Sequence, residues 1–173
     1  MSVLQLYNDI KPFFKSYKRT MHNLYNTILV YKNIRKGAIV DVVKQSDVKK
    51  YESILIKYNI NYYKYSNKVF YLSTKKISKK DINNIDSQNH PEIGKFLGYP
   101  FIFDLYKDNI GKKIGISYIF FNKKNKKSFI LFSYIIPETH INLVKESYIL
   151  LYKINTFNKS NNLLDGYFLL NFN

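Results

Sequence analysis

The sequence contains no cysteine and no tryptophan. It also has no apolar run of about 18 residues, so no transmembrane segment is predicted. The lack of cysteine excludes disulfide bonds, thiolate metal ligands and a thiol nucleophile. A chain without disulfides suits a reducing compartment, and we expect an intracellular location in the cytoplasm, an organelle, or a viral factory or virion. Residues 1–10 lack the basic segment and apolar core of a signal peptide.

Glycine and histidine are scarce, which excludes several well-known kinds of site. Gly111-Lys112-Lys113-Ile114-Gly115 is too short for a phosphate-binding Walker loop, and no Gly-x-Ser-x-Gly elbow of a hydrolase occurs. The three histidines, His22, His90 and His140, lie far apart and form no i, i+4 pair. We therefore predict no metal site and no cofactor.

Acidic residues are few, with 12 against 28 basic residues and a formal net charge of +16. A field of this size favours a polyanionic partner: nucleic acid, an anionic membrane or an acidic protein. Genome composition is an alternative cause, because the abundant Lys, Asn, Ile, Tyr and Phe all have A/T-rich codons. Both explanations of the charge stay open at this point.

The length suits one domain over residues 1–173 with a single core. Residues 1–35 are predicted to be a basic amphipathic helical region. Helical spacing from Val3 to Ile10 ends at Pro12, and a second helix follows over residues 13–28.

Short strands and a helix are predicted next. Leu29–Tyr31 and Ala38–Val43 are rich in residues that favour strands, and Ser46 is a predicted helix N-cap. The segments that follow are a helix over 46–58 and a hairpin whose strands, Ile60–Tyr65 and Lys68–Ser73, flank a two-residue turn.

The second half of the chain opens with the clearest hairpin, Ile114–Phe121 and Ser128–Ile135. A helix from Pro137 is predicted to bury a stripe formed by Ile141, Val144, Tyr148 and Leu151, although Tyr148–Ile154 also suits a strand. A polar loop over 155–162 and a strand over 166–172 complete the chain. The predicted class is α+β, with a mainly antiparallel sheet of hairpins and packed helices.

Residues 90–100, His-Pro-Glu-Ile-Gly-Lys-Phe-Leu-Gly-Tyr-Pro, are the most specific stretch. Pro91 suits the first turn of a helix, and Gly98 suits the left-handed residue after its end. Gly94 and Gly98 lie one turn apart, which indicates that another group approaches the helix closely there.

This stretch resembles the central motif of an uncharacterised bacterial domain family, whose His-Glu-Ile-Gly-x-Phe-Leu-Gly-Tyr-Pro core precedes an acidic residue, here Asp104. The chain inserts Pro91 between His90 and Glu92. A related pattern in other uncharacterised proteins is followed by paired cysteines, where this chain has Phe101 and Ile102. The family is of unknown function, so the resemblance implies no chemistry.

Four residues in and after the motif are weak candidates for acid–base catalysis: His90, Glu92, Tyr99 and Asp104. Structural roles explain the same residues, since a histidine can cap the helix and a carboxylate can complement its dipole.

Lysines interleaved with tyrosines are typical of a platform for single-stranded nucleic acid, where bases stack on rings and ammonium groups neutralise phosphates. Strand alternation predicts that Tyr63 and Tyr65 share one face. The candidate nucleic-acid-binding residues are Lys64, Tyr63, Tyr65, Lys112, Lys113, Lys123, Lys124, Lys126 and Lys127. The tyrosines also suit a half-buried strand, and the last four lysines also suit a solvated hairpin tip.

Three functions follow. The leading hypothesis is a basic, non-enzymatic protein that associates with nucleic acid or a nucleoprotein. The alternative is a structural or interaction subunit of a viral or organellar assembly. The third is an enzyme with an acid–base site near His90 and Glu92. No oligomeric state is predicted.

Overall fold

The computed structural model describes residues 2–14, 21–86, 90–99, 111–124, 126 and 128–173. The described residues form six α-helices and two three-stranded antiparallel sheets, which confirms the predicted α+β class. The chain divides into two compact units, residues 1–98 and 99–173. The assignment of a single domain stays a prediction, and each unit is described by itself.

The first unit contains five helices and one sheet among its described residues. In chain order the elements are α1 (Val3–Phe14), α2 (Met21–Tyr31), β1 (Gly37–Asp41), a 3-10 turn (Gln45–Asp47), α3 (Val48–Lys57), β2 (Asn61–Lys64), β3 (Val69–Ser73), α4 (Lys79–Asp86) and α5 (His90–Leu97). The sheet order is β1-β3-β2. Strand β3 is antiparallel to both neighbours, so the predicted hairpin is confirmed and its second strand lies between β1 and β2.

Side chains alternate between the two faces of this sheet. Phe70 of β3 points to the face covered by α3, where its ring meets the Tyr51 ring edge-on at 5.3 Å. Tyr71 points the other way and forms a buried cluster with Ile82 and Ile85 of α4. The Phe96 ring of α5 lies 5.7 Å from the Tyr71 ring. Helices α4 and α5 therefore cover the second face.

The N-terminal prediction was wrong in three respects. Helix α1 continues through Pro12 to Phe14, whose buried ring lies 5.6 Å from the Tyr51 ring, so packing outweighs the hydrogen bond that proline lacks. Helix α2 continues through 29–31, which were predicted to be a strand. Residues 23–30 of α2 are all buried, so this helix is not amphipathic. Residues 15–20, which supply most of the predicted basic face, lie outside the described residues.

Buried polar side chains in α2 explain this difference, because they bond to other buried groups instead of water. The Asn23 side-chain amide donates to the Asp41 carbonyl oxygen at 3.0 Å. The Thr27 hydroxyl lies 2.8 Å from both the Asn23 carbonyl oxygen and the Tyr51 hydroxyl.

The second unit contains the predicted long hairpin. Its elements are β4 (Lys113–Asn122), β5 (Ser128–Pro137), a 3-10 turn (Glu138–His140), α6 (Leu143–Asn161) and β6 (Gly166–Phe172). The sheet order is β5-β4-β6, so the C-terminal strand pairs with β4.

Helix α6 buries a different face from the predicted one. Ile141 and Tyr148 are 60% and 53% exposed, whereas Ser147, Ile154 and Asn158 are buried. The buried polar residues again bond to partners inside the unit: Asn158 donates to the Leu164 carbonyl oxygen, and Ser147 lies 2.5 Å from the Tyr134 hydroxyl. The predicted loop over 155–162 is the last part of this helix, which ends at the left-handed Asn162.

Candidate functional site

The first unit contains a cleft of about 540 Å³ between the segment after β3 and helices α4 and α5. Its apolar wall is formed by Ile77, Ile85 and Phe96. The other lining residues are polar or charged: Lys36, Ser73, Thr74, Lys75, Lys76, Asp81, Asn84, Glu92 and Lys95. The cleft thus combines apolar side chains with four ammonium groups and two carboxylates.

Both carboxylates of the cleft are already engaged. Asp81 accepts hydrogen bonds from the Ser78 backbone N–H at 2.8 Å and the Ser78 hydroxyl at 2.6 Å. These bonds hold the pKa of Asp81 below its ordinary value, with the bond from the Ser78 side chain as the largest cause. Glu92 accepts a 2.6 Å ion-paired hydrogen bond from Lys95 one turn along α5. The carboxylates therefore leave the other lysines of the cleft unneutralised.

Three lysines of the cleft, Lys36, Lys75 and Lys76, are exposed and form no ion pair with the residues that the structure describes. All three line the same cleft. An exposed lysine without a carboxylate partner is suited to binding an external anion.

Backbone contacts bring these lysines together. The Thr74 N–H donates to the Lys36 carbonyl oxygen at 2.9 Å, next to the pairing of Gly37 with Ser73 in the sheet. The Ser73 hydroxyl accepts from the Lys75 N–H at 3.1 Å, which turns the chain after β3. Sheet register therefore places Lys36 beside the segment that carries Lys75 and Lys76.

The end of α5 closes the same region. Gly98 has φ of +76°, as predicted for the residue after a helix. A Cβ at Gly98 would lie 3.0 Å from Cβ and Cγ of Lys36, so the helix end contacts the lysine stem. Gly94 is buried. The motif of residues 90–98 thus positions one wall of the cleft.

The four catalytic candidates do not form a described constellation. Glu92 lies in the cleft, paired with Lys95. Tyr99 belongs to the second unit, where its ring lies 5.3 Å from the Tyr134 ring. The side chain of His90 and all of Asp104 lie outside the described residues. The acid–base hypothesis stays a prediction.

Strand β2 and the turn after it place the predicted tyrosines as alternation requires. Tyr63 packs against the cluster of Tyr71, Ile82 and Ile85, and the Tyr65 ring meets the Tyr71 ring edge-on at 5.3 Å. Lys64 points to the other face, where it pairs with Glu52 at 3.1 Å. The Tyr63 ring is therefore partly covered by core packing, whereas the Tyr65 side chain is 42% exposed.

Two predicted lysines lie at the start of β4. Lys112 forms an exposed ion pair with Glu138 at 3.1 Å, and Lys113 is exposed. Exposed pairs of this kind contribute about 0–1 kcal/mol. Lys112 is thus partly neutralised.

The predicted hairpin tip lies between β4 and β5. Its lysines are Lys123, Lys124, Lys126 and Lys127, of which Lys127 lies outside the described residues. Lys124 pairs with Asp165 at 3.3 Å, and the Lys126 ammonium lies 5.7 Å from the centre of the Phe121 ring. The described tip lysines are exposed. Their role in nucleic acid binding stays a prediction.

The sequence reasoning missed the lysines of the cleft. The run Lys75–Lys80 is visibly basic, but nothing in the sequence ties it to Lys36. Only the antiparallel pairing of β1 with β3 joins the two segments.

The described residues contain no group of three or more His, Cys, Asp or Glu side chains that could hold a metal ion. In the same part of the chain, every helix is too short or too polar to cross a membrane.

Comparisons of the chain with protein-family models, curated proteins and solved structures found no match. The resemblance of residues 90–100 to an uncharacterised bacterial family therefore stays a prediction. The proposal below rests on the site alone.

Proposed function

We propose that this chain is a non-enzymatic nucleic-acid-binding protein that contacts phosphates through the lysines of the cleft. One observation carries the proposal: Lys36, Lys75 and Lys76 surround a concave site in which both carboxylates are engaged by other groups. In nucleic acids, phosphates are the anions that clustered ammonium groups bind.

The charge of the first unit supports the same function. Residues 1–98 contain eighteen Lys and Arg against seven Asp and Glu, which gives this unit a formal charge of +11 out of the total of +16. A field of this sign attracts a polyanion before any contact forms and raises the association rate. The cleft thus lies in the more basic part of the chain.

The preference for lysine over arginine predicts what kind of contact is made. Lysine offers a compact charge on a flexible stem, whereas arginine is the residue that pairs with two acceptors of a guanine edge. The cleft contains four lysines and no arginine. We therefore expect contacts to the phosphate backbone and little dependence on base sequence.

Two matched double variants test the proposal. Lys75→Gln/Lys76→Gln removes two ammonium groups from the cleft, and Lys49→Gln/Lys50→Gln removes two exposed ones from α3. In titrations of a labelled oligonucleotide at about 0.1 M salt, the cleft variant should bind at least about tenfold more weakly. Its log–log salt slope for a single strand should be flatter by up to about 1.4, or about 0.7 for each lost contact.

In the control variant, the affinity and the salt slope should both change much less. Equal losses in the two variants would indicate that bulk charge, and not the cleft, attracts nucleic acid. No binding of single- or double-stranded nucleic acid at about 0.1 M salt would refute the proposal.

A second candidate, an interaction subunit, is favoured by one specific observation. Helix α6 and the turn before it expose apolar side chains at helical spacing: Ile141, Tyr148, Ile149 and Tyr152. Tyr152 is 72% exposed. Contiguous exposed apolar residues are typical of protein contacts. If nucleic acid binding fails, this function takes its place.

A further inference from the structure

The cleft is larger and more apolar than phosphate binding alone requires. The side chains of Ile77 and Phe96 are half-buried, and both pack against the cluster around Tyr71. Phe96 also lines the cleft, as do Lys95 and Lys36. The volume of about 540 Å³ lies in the range of about 300–1,000 Å³ that is typical of small-molecule sites.

We infer that the cleft takes one unpaired nucleotide of a single strand, an inference that rests on the proposed nucleic acid binding. The base would lie against Ile77 and Phe96, and the adjoining phosphates would lie against Lys36, Lys75 and Lys76. An aromatic ring and aliphatic side chains accept the face of any base, because every base has a π surface.

The shape of the cleft selects single strands over duplexes. Lys36, Lys75 and Lys76 are exposed, whereas Ile77 and Phe96, which line the same cleft, are half-buried. In a duplex the bases are stacked and paired inside the backbone, so a base reaches such a wall only after it is unstacked, which costs free energy. A single strand presents its bases at little cost.

The polar wall suits a base without fixing its identity. Ser73, Thr74 and Asn84 line the cleft and carry hydroxyl or amide groups that can donate or accept hydrogen bonds. Such groups can bond to the edge of more than one base. We therefore expect the cleft to prefer strands that carry bases, with little preference for any one base sequence.

The test compares three ligands on the unaltered protein, and the two single strands among them carry equal charge. The ligands are a thymine strand of about 12 nucleotides, an abasic strand with the same number of phosphates, and a duplex of the same length. The thymine strand should bind at least about tenfold more tightly than the abasic strand. It should also bind more tightly than the duplex at the same salt.

Two isoleucine variants locate the effect. Ile77→Asn places a polar group in the apolar wall, and Ile56→Asn makes the same change at an isoleucine of α3 that is 65% exposed. Ile77→Asn should remove most of the difference between thymine and abasic strands, and Ile56→Asn should keep it. Ile77→Val, which stays apolar, should also keep it and controls for altered packing.

The outcomes separate this inference from the proposed function. Equal affinities of the unaltered protein for thymine and abasic strands, or tighter binding of the duplex, would refute the nucleotide site while leaving nucleic acid binding in place. No binding of any of the three ligands would refute both. Because these comparisons use the unaltered protein, they hold even if Ile77→Asn fails to fold.

Discussion

Gly37 in β1 lies so close to Phe96 in α5 that a Cβ at Gly37 would overlap the Phe96 carbonyl oxygen. The same Cβ would lie 3.2 Å from the Leu72 carbonyl oxygen and from Cε1 of the Phe96 ring. Only glycine lets α5 pack this closely on the sheet. The contact therefore determines where Phe96 stands in the wall of the cleft.

Gly37→Ala should lower the free energy of unfolding by about 1–3 kcal/mol, because the added methyl overpacks the contact between β1 and α5. Gly115→Ala is the matched control. Gly115 is also a strand glycine, but the Cβ and carbonyl oxygen of Asn173 lie 3.6 Å from the position of its Cβ, an ordinary contact distance. We therefore expect a change within about 0.5 kcal/mol. Denaturant unfolding measures both. Equal stabilities of the two variants would contradict the close packing.

Gly98→Ala should destabilise the protein more than Gly111→Ala. Both glycines have positive φ, 76° and 63°, so both variants pay the left-handed penalty of about 1–2 kcal/mol. At Gly98 the new Cβ presses on Lys36, at 3.0 Å, whereas at Gly111 no atom of the described residues lies within 4 Å of the new Cβ. Thermal unfolding measures the difference. A larger loss at Gly111 would show that the Lys36 contact is absent in solution.

Ser78→Ala should destabilise α4 by about 1 kcal/mol. Ser78 and Asp81 form a reciprocal capping box, in which the Asp81 N–H donates to the Ser78 hydroxyl oxygen at 3.2 Å and the Ser78 N–H donates to Asp81. Hydrogen exchange of the α4 amides should accelerate several-fold.

Ser46→Ala is the control for this change. The prediction for Ser46 itself was wrong. Ser46 was expected to cap α3, but the N-cap residue is Asp47, with no side-chain capping bond, after a 3-10 turn. The Ser46 hydroxyl instead lies 3.5 Å from a carboxylate oxygen of Asp47. Exchange in α3 should hardly change. Acceleration there equal to that in α4 would contradict this assignment.

The stability of the first unit should depend on pH through Asp9 and Tyr58. The Asp9 carboxylate accepts bonds of 2.8 Å from both Lys57 and the Tyr58 hydroxyl, which joins α1 to the end of α3. The bond from Lys57, followed by that from Tyr58, lowers the pKa of Asp9. Burial, with the bond to Asp9, raises the pKa of Tyr58 from 10.0 to about 12.

The two groups act at opposite ends of the pH scale. Asp9 contributes stability above its unfolded pKa, and this stability is lost as pH falls through the lowered folded value. Tyr58 contributes stability below pH 10, and this is lost as pH rises through about 12. The Tm of Tyr58→Phe should therefore decrease less between pH 10 and 12 than the Tm of the unaltered protein. Parallel decreases would contradict the raised pKa.

Periodicity and turn residues predicted much of the fold correctly. The helix predicted over 46–58 forms as α3 and buries Val48, Tyr51 and Leu55, and the predicted hairpin with the turn Ser66-Asn67 forms as expected. In these segments the apolar side chains alone decide which face is buried, so counting them is sufficient.

Apolar periodicity failed in α2 and α6 because polar residues occupy their inward faces. Asn155 exchanges two hydrogen bonds with the Phe168 backbone, at 2.8 Å and 2.7 Å, so an amide and not an apolar side chain faces β6. Such bonds depend on a strand that lies distant in sequence, and no local pattern indicates them. The exposed Tyr148 was misplaced for the same reason.

The cleft could not be predicted from the sequence for a similar reason. Lys36 and Lys75 come together only because β3 pairs with β1 in the register that joins Gly37 to Ser73. A pattern within either segment does not reveal that register. Composition predicts a polyanionic partner, but only the pairing of strands forms the cleft in which we propose that it binds.

The most direct measurement of the central claim is the acylation of individual lysines, followed by mass spectrometry, with and without a bound single-stranded oligonucleotide. The oligonucleotide should protect Lys36, Lys75 and Lys76 several-fold and leave Lys49 and Lys50 nearly unchanged. Protection centred on the tip lysines Lys123, Lys124 and Lys126, or spread evenly over all exposed lysines, would contradict the claim that nucleic acid binds in the cleft.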